Sequence, residues 1–238
     1  MSGAAAINYS FSYLPGSLTV NPALLAVTAH DAGRFYGAAN PTLTVSYTGF
    51  QNSDTAANLT ALPSVTTTAT PLSPVGTYPL TASGAAATNY SISYVSGTLT
   101  VNKATLTVSA NSANTTYGAA KPICTVSYYG FVNGDTSGSL PTQPSVATSA
   151  TAASPAGNYP ITASGGVSTN YSFAYIDGTL TVNKAHLTVQ PNDAKRWYGV
   201  ANPSFIVSYS GFLNGDTVSV LTGTASLTTS AKGPVKHA

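Results

Sequence analysis

An 81-residue period runs through this chain without insertion or deletion, and it fixes the organisation before any fold is considered. Tyr36-Gly37 returns as Tyr117-Gly118 and Tyr198-Gly199. Gly49-Phe50 returns as Gly130-Phe131 and Gly211-Phe212, and Asn8-Tyr9-Ser10 as Asn89-Tyr90-Ser91 and Asn170-Tyr171-Ser172. Gly16-Ser17-Leu18-Thr19-Val20-Asn21 is matched by Gly97 to Asn102 and Gly178 to Asn183. In this frame residues 23–103 and 104–184 are complete repeats. Residues 185–238 are an incomplete third repeat, and residues 1–22 are the C-terminal hairpin of an earlier one. Ser2-Gly3-Ala4-Ala5-Ala6 aligns with Ser83-Gly84-Ala85-Ala86-Ala87, so Met1 stands where the repeat has Ala82. The expectation is a segment cut from a longer array, with Met1 heading no signal peptide. A unit of this length is near the small end of domains that fold alone, burying roughly 60% of its unfolded surface.

Within the period, apolar residues alternate with hydroxyls. Thr105-Leu106-Thr107-Val108-Ser109, Leu43-Thr44-Val45-Ser46-Tyr47 and Tyr78-Pro79-Leu80-Thr81-Ala82 each put one apolar face against one polar face. That is the half-buried strand pattern, bounded here by Gly, Pro and Asn. Tyr90-Ser91-Ile92-Ser93-Tyr94, Val95-Ser96-Gly97 and Thr98-Leu99-Thr100-Val101 predict a hairpin with a bulged loop. Pro79 and Pro160 lack the ladder donor and predict sheet-edge strands. After each Gly-Phe landmark, Asp54, Asp135 and Asp216 stand five residues before Leu59, Leu140 and Leu221. This predicts one helical turn per repeat, capped by the aspartate and pinned by the leucine. The class is therefore all-β with one short helical turn per repeat. Only Asn102-Lys103-Ala104 separates the last strand of one repeat from the first of the next. So short a joint is no flexible coil. The expectation is a semi-rigid rod growing by roughly 30 Å per repeat.

Composition narrows the chemistry. Charged residues are 6% of the chain, there is no glutamate, and the net charge is +2. Ordinary domains carry about 25% charged residues. The scattered lysines form no stripe for nucleic acid, and no apolar run approaches the roughly 20 residues of a membrane-spanning helix. Cys124 is the sole cysteine, so no internal disulfide forms. It aligns with Leu43 and Phe205, which predicts an inward strand position and a thiol acting as a small hydrophobe.

Tyr36-Gly37-Ala38, Asn40-Pro41, Gly49-Phe50, Asn133-Gly134-Asp135-Thr136, Gly157-Asn158-Tyr159-Pro160-Ile161 and Gly178-Thr179-Leu180-Thr181-Val182-Asn183 together resemble the MBG repeat of bacterial surface proteins, in its Tyr-Gly-x variety. The resemblance spans the whole chain. It implies small β-grasp-like modules strung in tandem in large exported, adhesin-like proteins, and it supplies no catalytic residues. Alternation alone equally permits an immunoglobulin-like sandwich. The first repeat departs from the pattern at Pro22, where the others have Lys103 and Lys184, and at Ser53, where the second has Gly134.

The candidate chemical groups each have a structural reading beside the functional one. His30, His186 and His237 occupy three different places in the frame, so they read as surface variation; metal or catalytic work needs partners at fixed spacing. Asp54, Asp135 and Asp216 recur in frame. One carboxylate per loop falls short of the several that calcium takes, so the helix cap is the expected role. Tyr36 and Tyr198, with Phe35, Trp197 and the neighbouring Arg34 and Arg196, are the candidate aromatics for stacking a sugar or peptide ring. The structural alternative packs the tyrosine inward and gives Gly37, Gly118 and Gly199 a turn conformation barred to other residues. Asn102-Lys103 and Asn183-Lys184 lack the recurrent acid that an isopeptide bond requires. The outward hydroxyls are solvating groups or sites of glycosylation. No cofactor or metal is expected, and an enzyme is the least expected class. The leading expectation is a stalk or spacer of a secreted or cell-surface bacterial protein. The rival is a module that binds glycan, mucin or matrix protein weakly and gains avidity by repetition. Neither nucleic acid nor membrane insertion is expected of this segment.

Overall fold

The computed structural model of the chain describes residues 3–231. It divides into two compact units, Met1–Ala104 and Thr105–Ala238. The first holds one complete repeat of seven strands: β1 (Ala23–Ala29), β2 (Ala32–Phe35), β3 (Val45–Thr48), β4 (Ser64–Thr66), β5 (Gly76–Ser83), β6 (Tyr90–Val95) and β7 (Gly97–Asn102). They form two sheets, ordered β3-β1-β6 and β4-β5-β7-β2. Strand β1 is antiparallel to β3 and parallel to β6, while β7 is antiparallel to β5 and parallel to β2.

The strand alternation predicted from sequence decides which residues meet. Leu25, Val27 and Ala29 of β1 are buried, as are Gly97, Leu99 and Val101 of β7. Val27 and Ala29 of one sheet pack against Leu80, Ala82 and Leu99 of the other, closed by Ala69. Two sheets packed face to face are the sandwich alternative, and no α-helix lies among the described residues. Fully burying each such leucine or valine contributes roughly 1.5–3 kcal/mol. That term dominates in a chain with so few charges.

The hairpin expected at residues 90–101 is absent. Strand β6 belongs to the three-stranded sheet and β7 to the four-stranded one, so the chain changes sheets across Ser96 alone. The crossing runs close over the end of β1: a Cβ on Gly97 would lie 2.5 Å from the Ala29 carbonyl oxygen. Only glycine fits there. The proline expectation also changes. Strand β5 is interior, between β4 and β7, but β4 pairs with it only over Thr81–Ser83. Pro79 lies outside that stretch, opposite Thr98 of β7, where its missing N–H leaves the ladder to β4 intact.

The second complete repeat follows the same plan with β8 (Ala104–Ala110), β9 (Ala113–Thr116), β10 (Val126–Tyr129), β11 (Ser145–Thr148), β12 (Gly157–Ser164), β13 (Tyr171–Ile176) and β14 (Gly178–Asn183). The sheets are β10-β8-β13 and β11-β12-β14-β9. Pro160 repeats the Pro79 arrangement, paired with Thr179 and beyond the reach of β11. The incomplete repeat follows with β15 (Thr188–Pro191) antiparallel to β16 (Val207–Ser210). Residues 3–22, which the frame matches to a final hairpin, carry no strand. In the complete repeats the matching segments are held by β1, β2 and β5 of the same repeat.

Each repeat has its helical turn, a three-residue 3₁₀ turn at Ala56–Asn58, Ser137–Ser139 and Val218–Val220. The expected aspartate cap is one residue out. Thr55, Thr136 and Thr217 are the N-caps, with the Thr55 hydroxyl accepting from Ala57 N–H and the Thr217 hydroxyl from Ser219 N–H. Threonine and aspartate are both good caps, and the aspartate is engaged elsewhere. The pinning leucine is buried at Leu140 and half-buried at Leu59 and Leu221.

Candidate functional site

The recurring aspartates answer to tyrosines. Tyr90, at the start of β6, donates its hydroxyl proton to Asp54 Oδ2 at 2.7 Å, and the Tyr90 hydroxyl oxygen accepts from Gln51 N–H at 2.9 Å. In the second unit Tyr171 donates to Asp135 Oδ2 at 2.8 Å and accepts from Val132 N–H at 3.1 Å. The Gly-Phe landmark supports both rings, Phe50 edge-on to Tyr90 at 5.6 Å and Phe131 edge-on to Tyr171 at 5.5 Å. The hydrogen bond to Asp54 raises the Tyr90 pKa above the ordinary phenol value, partly opposed by Gln51 N–H. Sequence reasoning missed these tyrosines as partners. Their signal was present, since the Asn-Tyr-Ser landmark recurs in the same frame as the aspartate.

The aromatic candidates separate. Tyr36 is 7% exposed, and its N–H donates to Asn102 O at 2.8 Å. Phe35 is 61%, Trp197 86% and Tyr198 98% exposed. Gly37, Gly118 and Gly199 hold φ of 82°, 81° and 83°, the turn conformation expected of them. Arg34 is no open stacking platform. It is 6% exposed, donating to Asn40 Oδ1 at 2.8 Å and to the carbonyls of Phe35 and Thr70, while Asn40 Nδ2 donates to Ala69 O at 2.7 Å. Arg196 donates to the carbonyls of Trp197 and Val200.

At the joint between the second and third repeats, inside the second unit, the Tyr-Gly edge and the aspartate turn meet. Tyr117 donates its hydroxyl proton to Asp216 Oδ2 at 2.9 Å, and Asn214 Nδ2 donates to Ala152 O at 3.0 Å. A groove of about 540 Å³ opens beside them, bordered by Pro155, Lys184, His186, Leu213 and Asp216. Tyr117 is half-buried.

The remaining candidates are dispersed. His30 is exposed, with Nδ1 at 3.1 Å from Thr44 Oγ1, and Asp31 beside it accepts from Thr98 N–H at 2.7 Å. His186 is exposed; His237 lies outside the described residues, as do Met1 and Ser2. Cys124 precedes β10 and is half-buried in a loop, so the inward strand position expected of it is not what it occupies. Asn183 Nδ2 donates to Thr115 O. Among the described residues no three His, Cys, Asp or Glu side chains are grouped as a metal site would need, and no buried side-chain nitrogen or oxygen lacks a partner.

The family model of the MBG domain (YGX type) matches the chain three times in tandem, over residues 25–100, 106–181 and 187–235. No curated protein matches it.

Proposed function

The chain belongs to the MBG domain (YGX type) family, a structural repeat domain, and from that premise we propose that it is a spacer segment of a large bacterial cell-surface or secreted adhesin-like protein. One observation carries the reading: the aspartates that recur in frame are engaged in bonds within a repeat or at the joint between two, and the buried arginine of the first repeat is engaged as well. Asp54 and Asp135 accept from Tyr90 and Tyr171, Asp216 accepts from Tyr117, and Arg34 is bound by three oxygens. A group already committed to a buried or half-buried bond is poorly placed for catalysis or for binding a ligand. Spacing is the role left to such a chain, carrying a functional region away from the surface to which the parent protein is attached. Its partners in this reading are the neighbouring repeats.

The second reading is adhesion to glycan, mucin or matrix protein, and it rests on the exposed rings of Phe35, Trp197 and Tyr198. Repetition would then supply avidity through effective concentration. The test displays the full chain singly and multivalently against glycans, mucin and matrix proteins. The spacer reading requires no specific capture in either format. Capture that strengthens with valency and is lost on Trp197→Ala refutes it.

A further inference from the structure

Each complete repeat has four sheet edges, and three of them are short. Strands β2, β3 and β4 run four, four and three residues, and their counterparts β9, β10 and β11 run four each. Short edges are one way a β protein keeps its open backbone from pairing with another chain. The fourth edge is different. Strand β6 is six residues long, Tyr90-Ser91-Ile92-Ser93-Tyr94-Val95, and lies outermost in its sheet with β1 as its one neighbour among the described residues. Strand β13, Tyr171-Ser172-Phe173-Ala174-Tyr175-Ile176, is likewise six residues long and outermost beside β8. Neither carries a charge or a proline, the residues that usually blunt a long edge.

The direction of the open backbone groups follows from the ladder. Ala23 N–H donates to Asn89 O at 2.9 Å, and Ala23 pairs with Tyr90 in parallel register. Alternate residues of a parallel strand face its neighbour. Asn89, Ser91, Ser93 and Val95 therefore turn their backbone groups to β1, and Ile92 and Tyr94 turn theirs to the open side. The side chains sort by face. Tyr90 is buried and Ile92 packs against the core. Tyr94, on the same face, is anchored by its hydroxyl, which accepts from Ala85 N–H at 2.9 Å. Ser91, Ser93 and Val95 stand exposed on the outer face. In the second repeat the Tyr175 hydroxyl accepts from Gly166 N–H at 2.9 Å, and its ring stacks on Phe173 at 5.9 Å.

We propose that β6 and β13 are pairing edges for a second copy of this chain, joined antiparallel and edge to edge, so that repeat arrays associate side by side. The strand is its own complement. Two copies of β6 related by a twofold axis through Ser93 set Ile92 opposite Tyr94 of the second copy, and Tyr94 opposite its Ile92. Both residues turn their N–H and C=O groups outward, so each such pair exchanges two hydrogen bonds. On the inner face an aliphatic side chain meets a ring, and between two copies of β13 Phe173 meets Tyr175; such cross-strand pairs stabilise neighbouring strands. At the axis Ser93 meets Ser93 with Cα atoms about 4.5 Å apart, where small uncharged side chains fit, and β13 has Ala174 there. No charge on either strand opposes the contact. The contact is isologous and continues the existing ladder, as strand addition does elsewhere. A few backbone bonds between separate chains leave little surplus over the cost of association, so the pairing is sought at high concentration.

The test uses the full chain from micromolar into the low millimolar range, read by sedimentation and by amide hydrogen exchange. The expected result is reversible association in which the Ile92 and Tyr94 amides gain protection, while those of Ser91 and Ser93, already facing β1, are unchanged. That alternation is particular to an added strand, and non-specific clustering does not produce it. Ser93→Lys with Ala174→Lys sets like charges together at the axis of each paired strand and should weaken association about tenfold or more. Both positions are exposed, so the fold is kept. Thr98→Lys with Thr179→Lys adds the same charge at exposed positions of the other sheet and should leave association unchanged. A chain that stays monomeric across the range, protection without the alternation, or two charge pairs that act alike overturns the proposal. Glycan capture would refute the spacer reading without altering the exchange at β6, so the two fail separately.

Discussion

Gly97 is where the smallest substitution should do the most damage. It follows Ser96, the one residue between β6 and β7, and passes over the end of β1 as the chain changes sheets. A methyl there would stand 2.5 Å from Ala29 O and 3.0 Å from the carbonyl carbons of Ala29 and His30. These are backbone atoms, and Ala29 is held in register opposite Val45. Restoring an ordinary contact beyond 3.4 Å moves one sheet end by about 0.9 Å. Overpacking of this kind costs about 1–3 kcal/mol, here toward the upper end because no flexible side chain gives way. Alanine offsets about 0.4–1 kcal/mol by restricting the unfolded chain. The net loss for Gly97→Ala is about 2 kcal/mol, or roughly 10 °C in Tm for a module of this size. Tandem modules need not unfold together, so the assay is native-state hydrogen exchange on the full chain, read at amides of β1 and β7 in one repeat and β8 and β14 in the other. The effect should stay in the first repeat, and Gly178→Ala should reproduce it in the second, where the added Cβ meets Ala110 O. Gly76→Ala, whose nearest neighbour is a ring carbon at 4.0 Å, serves as the control and should be neutral or slightly stabilising. If Gly97→Ala matches Gly76→Ala, the close approach is not what requires the glycine.

Three further outcomes are expected. Leu106→Ala, at a fully buried position of β8, should cost about 3 kcal/mol in urea unfolding of the second repeat; a loss under 1 kcal/mol would mean the sheets do not pack as described. Arg34→Lys keeps the charge but cannot serve Asn40, Phe35 and Thr70 together, and should lose roughly 2 kcal/mol; an unchanged denaturation midpoint would remove the fork from the account. Tyr90 has its pKa raised on folding by the bond to Asp54. A group whose pKa rises on folding stabilises while protonated, so this contribution is complete below pH 10.0 and lost as pH climbs through the raised folded value. First-repeat stability should fall more steeply on that alkaline limb in the wild type than in Tyr90→Phe, and coincident limbs would refute the link.

The repeat frame and the buried faces were legible because both are one-dimensional signals. Thr105 to Ser109 alternates in sequence, and β8 alternates in burial. The route between sheets was not legible. Residues 90–101 read equally as a hairpin or as two strands of different sheets, and what separates them is the parallel pairing of β6 with β1 and β7 with β2 across more than sixty residues. The cap was misplaced by one residue because aspartate and threonine are adjacent there and both make good caps. Only the arrival of Tyr90 at Asp54 distinguishes them. The Tyr-Gly edge shows a different limit. Tyr117 and Tyr198 are the same residue in the same motif, and their exposure differs: Tyr117 follows the paired strand β9, its N–H is held by Asn183 O and its ring lies against the turn that carries Asp216, whereas no strand immediately precedes Tyr198. No local pattern encodes that.

Parallel pairing of the first strands with the last has a mechanical meaning. A tensile load on the complete repeat enters at Ala23, the start of β1, and leaves at Asn102, the end of β7. The ladders β1–β6 and β2–β7 run parallel over Ala23–Thr28 with Tyr90–Val95 and over Ala32–Phe35 with Leu99–Asn102. Pulling the first residue of one strand against the last of its parallel neighbour slides the ladder along its length, so its hydrogen bonds yield together, whereas a hairpin pulled from its open end would unzip one bond at a time. Each complete repeat is thus a clamp closed across its own two ends, and its resistance to extension is written in strand direction as much as in its core.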